Sequence, residues 1–167
     1  ALNNKAEIFG RGRITDELEK LSERVRVILK TKLKGEDVAI TTDHWTSIGN
    51  ESYLAITAHW ISSDWNLHCT TLCCTHHPLV SETALEIARV VREGWEAFDI
   101  DADSIVAIVS DTAANMNAAG ILFNSPHHYC VAHVLELTTG FAFKDENVPG
   151  AENTMKSARS LIGHFRQ

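Results

Sequence analysis

Ile105-Val106-Ala107-Ile108-Val109-Ser110-Asp111 is the stretch on which the fold turns. Its five consecutive apolar residues form the most apolar segment of the chain and predict a central strand, covered on both faces, that ends at a serine and an aspartate. Upstream, 99–104 is a polar turn. Before it, 82–98 places Ala84, Leu85, Ile87, Ala88, Val91, Trp95 and Phe98 at helical spacing, which predicts an amphipathic helix. Pro78 breaks the pattern. Ahead of Pro78 the period is two: 65–75 and 52–61 read as strands joined by a turn at Ser62-Ser63-Asp64, a hairpin. Val38-Ala39-Ile40-Thr41-Thr42 is a further short strand, ending at Asp43. It follows a helix over 14–33 that carries Ile14, Leu18, Leu21, Val25, Ile28, Leu29 and Leu33 at three- and four-residue spacings and stops at Gly35. Downstream of Asp111, 113–123 predicts a short helix, 127–131 a strand and 132–143 a helix. A loop over 144–153 and a last helix from about Thr154 complete the chain.

After the leading helix the order is therefore β-β-β-α-β-α-β-α. Three strands in a meander followed by right-handed crossovers build a mixed five-stranded α/β sheet with helices on both faces. In that arrangement the first and fourth strands are parallel neighbours, so Asp43 and Asp111 sit side by side at their carboxyl ends. Two carboxylates held on rigid strand ends suit a hard divalent cation such as Mg²⁺, and two such ions serve phosphodiester cleavage and transfer. The competing reading is structural: Asp43 starts a turn and Asp111 caps the helix that follows.

The 167 residues, 44% of them hydrophobic, match one globular domain, and the short, interrupted apolar stretches do not reach the length of a bilayer span. The sequence predicts a soluble intracellular protein without a signal peptide or a membrane partner. Cys69, Cys73, Cys74 and Cys130 are too irregularly spaced for a secreted disulfide framework, so reduced thiols are expected. A formal net charge of -7 argues against a free-standing nucleic-acid binder. The basic residues are concentrated, however: 1–34 holds nine of the fifteen against five acids, while the remainder has six against seventeen. If the chain touches DNA, the first helix is the better candidate, against the plainer reading of a solvated helix of mixed charge.

The wording around both aspartates is informative beyond their spacing. Thr42-Asp43-His44-Trp45-Thr46-Ser47, followed by Tyr53-Leu54-Ala55-Ile56-Thr57-Ala58-His59-Trp60, resembles the opening of the hAT transposase core, Asp-x-Trp-Thr-Ser and then a Tyr-x-x-(Ile/Val)-Thr-x-His strand. Ser110-Asp111-Thr112-Ala113-Ala114-Asn115-Met116 is similar to the family's second block, and Cys130-Val131-Ala132-His133-Val134-Leu135-Glu136-Leu137 to its Cys-x-Ala-His-x-Leu-x-Leu block. The resemblance implies a ribonuclease H-like fold with an Asp, Asp, Glu catalytic set, in which Asp43 and Asp111 take the first two places and bind Mg²⁺ or Mn²⁺. The family's glutamate lies beyond a large helical insertion that this chain does not complete. Asp145, Glu146 and Glu152 are not promoted to that role, and the chain alone is not expected to be a competent nuclease.

The same resemblance implies DNA as the partner, both transposon ends and target, a nuclear site of action, and a homo-oligomer in the full-length protein. His133 becomes a candidate for contact with a DNA phosphate, against the plainer reading of a buried hydrogen-bonded histidine, and Asn115, four residues after Asp111 and expected on the same helix face, a candidate for DNA contact or for orienting the backbone or the metal shell. The organisation expected is a leading helical segment over 1–35, the first part of the core over 36–143, and the start of the helical insertion over 144–167. Thr112 and Glu136 stand where the family commonly has Asn, and Glu82-Thr83 where many members have His-Thr. These departures keep open a domesticated descendant that binds DNA or regulates without catalysis.

Two further groups need weighing. Cys130 and His133, with Cys69, Cys73, Cys74, His76 and His77, supply zinc-ligand types, but no second pair has a recognisable spacing. Alternation puts Cys69 and Cys73 on one face of their strand, and a thiol-bearing strand with polar histidines at its end is the plainer reading. Trp45, Trp60, Trp65 and Trp95 have the chemistry to stack on bases, although packing in the core or on the sheet is the expectation.

Overall fold

The computed structural model describes residues 10–76, 83–144 and 147–164. The helix α1 (Arg11–Leu33) is followed by the strands β1 (Val38–Thr46), β2 (Ser52–Ile61) and β3 (Leu67–His76). Then come α2 (Ala84–Glu96), β4 (Ile105–Ser110), α3 (Ala114–Ile121), β5 (His127–Tyr129), α4 (Val131–Ala142) and α5 (Ala151–His164). The strands form one mixed sheet in the order β3-β2-β1-β4-β5. β1 runs antiparallel to β2 and parallel to β4, as the sequence predicts. Residues 77–82 and 145–146, which include His77, Pro78, Glu82, Asp145 and Glu146, lie outside the described residues.

One face of the sheet is the core. Val38, Ile40 and Thr42 of β1 are buried at every second position, as are Leu54, Ile56, Ala58 and Trp60 of β2, because strand side chains alternate between faces. The antiparallel register sets Val38 opposite Trp60, Ile40 opposite Ala58 and Thr42 opposite Ile56, so the two apolar rows coincide. α2 covers them with Ile87, Ala88, Val91 and Trp95. It starts where Thr83 accepts a hydrogen bond from the Glu86 N–H at 3.3 Å, a side-chain cap for one of the unpaired first-turn donors. It ends at Ala97, before Asp99 turns the chain with φ 57°. α3 adds Met116 and Ala119 to the same core. Each fully buried Ile or Val contributes roughly 1.5–3 kcal/mol relative to exposure.

Gly94 lets α2 lie close to the sheet: a Cβ there meets the Ile56 side chain and comes within 3.3 Å of Cys73 Sγ. Since Ile56 is fully buried, its methyl has nowhere to move. Gly94→Ala is therefore expected to destabilise by about 1–3 kcal/mol through overpacking, although alanine is the better helix former by roughly 1 kcal/mol. Urea unfolding reads the sign; a stabilised variant would mean that α2 floats off the sheet at no cost.

Four expectations are corrected. β4 is not covered on both faces: Ile105, Ile108 and Ser110 are buried, whereas Ala107 and Val109 on the other face are half-buried, and Val106, the extra residue where the β1–β4 register slips, is 48% exposed. Cys69 and Cys73 do not share a face. β3 carries a bulge at Leu72, so Cys69 lies opposite half-buried His59 while Cys73 lies opposite Ile56 on the core side. Asp43 does not end its strand but sits inside β1, which continues to Thr46 on its pairing with β2. Trp65 is neither core nor packed on the sheet: it is 87% exposed at a hairpin turn, with φ 63°. Trp60 and Trp95 are core residues, and Trp45 stacks on Tyr53 with centroids 5.6 Å apart.

The C-terminal end of α1 reaches the body of the domain through buried Leu33, part-buried Leu29, the Arg26 guanidinium over the Phe98 ring at 5.8 Å, and a Lys30–Asp99 ion pair at 3.0 Å. α4 and α5 have no buried residue. Between them runs an open groove of about 870 Å³ that His133, Leu137, Phe141, Met155 and Arg159 help to line. No helix among the described residues is long and apolar enough to cross a membrane.

Candidate active site at the paired strand ends

Both aspartates lie just past the end of the β1–β4 pairing. β1 pairs with β2 through Thr46, whereas its pairing with β4 ends at Thr41 opposite Val109. Continued by two residues, that register sets Asp43 opposite Asp111, on neighbouring strands that run about 4.8 Å apart. Alternation puts Ala39, Thr41 and Asp43 of β1 on one face together with Ala107, Val109 and Asp111 of β4 and its end. This is the face turned away from α2. Asp43 is exposed and Asp111 half-buried.

Asp111 has a structural task as well. Its Oδ1 accepts the Ala113 N–H at 3.0 Å, closing a turn ahead of α3. It is not the N-cap of that helix, which is Ala113, so the capping reading holds only in this looser form. The turn engages one carboxylate oxygen of Asp111. Reading Asp43 as the start of a turn fails, since Asp43 is mid-strand.

Asn115 does not share a helix face with Asp111, because Asp111 precedes α3; the Asn115 Oδ1 accepts the Met116 N–H at 2.9 Å. It is Asn117 that reaches back toward the site, its Nδ2 donating to the Thr112 carbonyl at 3.1 Å. His133 lies half-buried in the first turn of α4. The Cys130 N–H donates to the Ser110 carbonyl at 2.6 Å and so anchors the start of α4 beside the end of β4. Trp45, two residues beyond Asp43 on the same face, is 40% exposed and packs on its cross-strand partner Tyr53.

Behind Asp111, on the core side, lies a support that the sequence reading missed. Ser110 is 2% exposed, and its hydroxyl donates to the Asp111 carbonyl at 3.0 Å. The same hydroxyl is hydrogen-bonded with the His127 Nε2, 2.8 Å away. The far edge of the ring rests on Gly120, where a Cβ comes within 2.5 Å of Nδ1. The available signal was register: β4–β5 pairing puts His127 beside Ile108, hence on the core face.

Burial, and then the neighbouring His128, hold the His127 pKa below the ordinary histidine value. The unfolded chain therefore binds more protons near pH 6. The stability due to neutral His127 is fully present above the unfolded value of about 6.5 and is lost as pH falls through it toward the folded value. His127→Gln should flatten this part of the profile, measured as the difference between the urea midpoints of the two proteins from pH 8 to pH 5. A constant difference across that range would show that the ring is not held neutral.

The thiols give no comparable arrangement. All four cysteines are free, burial pushes the Cys73 thiol up, and among the described residues no group of three or more His, Cys, Asp or Glu side chains is placed to hold a metal ion.

The sheet order and the parallel β1–β4 pair are those of a ribonuclease-like α/β domain. Residues 41–131 match the ZBED1 RNase-like domain family, and the chain belongs to it. It is a hAT-like, transposase-derived domain. It is 28% identical over 134 residues to a Talaromyces stipitatus protein named as a transcriptional regulator, tpeD, covering 72% of this chain and 16% of that protein. Over 133 residues it is 28% identical to a Zea mays protein named as an AC transposase and to another named as an AC9 transposase, covering 70% of this chain and 16% of each. The chain thus spans about one sixth of the length of the curated relatives it matches.

Proposed function

We propose that this domain contributes Asp43 and Asp111 to a divalent-metal centre that cuts and joins DNA strands, as part of a longer transposase of the hAT type. The observation that carries the reading is the parallel β1–β4 register, which, continued two residues past Thr41 and Val109, sets Asp43 opposite Asp111 on one sheet face. The donors suit Mg²⁺ or Mn²⁺: both are hard oxygens, and Mg²⁺ keeps several waters when only one or two carboxylates bind it. Asp43 and the carboxylate oxygen of Asp111 that is left outside the turn with Ala113 are the ligands in this reading. A metal held there would supply Lewis-acid chemistry, lowering the pKa of an attacking water or DNA 3′-hydroxyl and stabilising the oxygen that leaves phosphorus. The reading calls for a third acidic ligand from elsewhere in the protein, and it places the protein in the nucleus, acting on transposon ends and target DNA as an oligomer.

A second reading is favoured by the relative named as a transcriptional regulator: a transposase-derived core that binds DNA or a partner without catalysis. The test that separates the two is a Mg²⁺- or Mn²⁺-dependent strand-cleavage and strand-transfer assay on the full-length protein. Metal-dependent products support the first reading. Their absence from folded, DNA-binding protein overturns it in favour of the second.

A further inference from the structure

Asp111 is held by more contacts than a turn residue needs. The peptide planes on either side of it are both fixed: the Ser110 carbonyl accepts the Cys130 N–H at 2.6 Å, and the Asp111 carbonyl accepts the Ser110 hydroxyl at 3.0 Å. Together these bonds set the direction in which the carboxylate leaves the backbone. The carboxylate is then oriented by the Ala113 N–H on Oδ1, which leaves Oδ2 outside the turn. From α3, Asn117 braces the same turn by donating from Nδ2 to the Thr112 carbonyl at 3.1 Å.

The Ser110 hydroxyl is the movable part of this hold, since a hydroxyl rotates to suit its partners. Ser110 is 2% exposed, so bulk water does not steady it. His127 does, with Nε2 2.8 Å from the hydroxyl oxygen. The ring is itself fixed. It rests on Gly120 of α3, Tyr129 meets it edge-on with centroids 5.9 Å apart, and its backbone is paired with Ile108 in the β4–β5 ladder. His127 thus ties α3 and β5 to the one side chain that holds the Asp111 carbonyl. Packing alone does not call for such a pair, because replacing both partners of a buried hydrogen bond by apolar groups of the same shape is nearly neutral.

We propose that Ser110 and His127 are positioning residues for the metal centre: from the core side they hold the Asp111 carboxylate in its ligating direction, and so set the affinity of the site for Mg²⁺ or Mn²⁺. The inference rests on the reading of Asp111 as a metal ligand. Neither side chain touches the cation; both act through the Asp111 backbone. Removing a group that orients a metal ligand typically costs about 10–100-fold in metal affinity or activity.

Mn²⁺ binding to the full-length protein, read from the electron paramagnetic resonance signal of the free ion, tests it, alongside the Mn²⁺ concentration that gives half-maximal strand cleavage. Asp111→Asn is the reference and should remove the site. His127→Phe keeps a ring over Gly120 without the bond to Ser110, and Ser110→Ala removes the hydroxyl itself. Each should raise the Mn²⁺ dissociation constant and the half-maximal concentration by about 10–100-fold, with the cleavage rate restored at saturating Mn²⁺. His127→Gln, whose amide can still bond to the hydroxyl, should bind Mn²⁺ nearly as the unsubstituted protein does. A role confined to folding would lower the thermal midpoint and the active fraction but leave the half-maximal Mn²⁺ concentration where it was, and that result overturns the proposal. Should His127→Phe not fold, Ser110→Ala decides. Mn²⁺ binding and cleavage that survive Asp111→Asn refute the metal reading, and this inference with it. Loss of the site in Asp111→Asn, with full affinity in His127→Phe and Ser110→Ala, refutes the inference alone.

Discussion

Asp43→Asn and Asp111→Asn should each lower metal-dependent strand cleavage by the full-length protein to about 1% or less of its rate, a loss of roughly 2.7 kcal/mol in transition-state stabilisation. The thermal midpoint should scarcely move in either case. Asparagine keeps the size and the acceptor oxygen of aspartate but not the charge that holds a hard cation. Asp43 is exposed, mid-strand and held by backbone pairing on the β2 side, so its side chain is dispensable for the fold. Asp111 is more informative because it has two tasks. Asn at this position still accepts the Ala113 N–H that closes the turn before α3, whereas Asp111→Ala removes carboxylate and acceptor together. The alanine variant should therefore lose activity to the same extent and also cost about 1 kcal/mol of stability. Activity retained in the Asn variant, with stability lost only in the Ala variant, would reduce the residue to its turn and sink the metal assignment. A cleavage rate unchanged by Asp43→Asn would do the same for the pair.

Gly120→Ala should be the most damaging single methyl that can be added near the site. The new Cβ falls 2.5, 2.6 and 2.8 Å from the Nδ1, Cγ and Cε1 atoms of His127, well inside van der Waals contact. A rigid ring cannot fold out of the way as an aliphatic chain end does. Its escape is blocked on the other side by Ser110, to which it is hydrogen-bonded at 2.8 Å. Either α3 shifts away from the sheet, at about 1–3 kcal/mol for overpacking, or the ring turns and gives up its hydrogen bond with Ser110, whose hydroxyl keeps the Asp111 carbonyl as partner, at roughly 0.5–1.5 kcal/mol. A loss of about 1–3 kcal/mol follows, against a domain stability of roughly 5–15. Urea unfolding gives the size of the loss. The pH profile tells the two routes apart: if the ring has been displaced, the acid-sensitive component assigned to His127 shrinks, and if α3 has moved, it persists. A variant as stable as the unsubstituted protein would mean that the ring does not rest on residue 120.

Local pattern was enough to read much of this molecule. The alternation of apolar residues over 52–61 places β2 at its observed bounds. The apolar run from Ile105 locates β4, and the chain order is sufficient for the sheet to be drawn with the two aspartates adjacent. The errors arose where a distant pairing partner overrides local composition. Asp43-His44 looks like the end of a strand, and it is the ladder to Leu54 and Ala55 that keeps it extended to Thr46. β5 is shorter than expected because the Cys130 N–H is taken by the Ser110 carbonyl and helix begins at Val131. The bulge at Leu72 has no marker in the sequence, since no glycine or proline accompanies it. The His127–Ser110 contact and the emptiness beside Gly120 that accommodates it are products of the third dimension, although register alone puts His127 on the buried side once β5 is paired with β4.

That bulge bears on how the domain avoids sticking to its own kind during synthesis and storage. β3 stands at one edge of the sheet among the described residues. A flat ten-residue edge rich in threonine is the sort of template on which foreign strands add and aggregates grow. The extra residue at Leu72 interrupts the even row of edge donors and acceptors and increases the local twist. A strand arriving from solution then finds two short, misaligned halves in place of one continuous ladder. The irregularity that misleads the eye in the sequence therefore acts as a safeguard against amyloid-like growth.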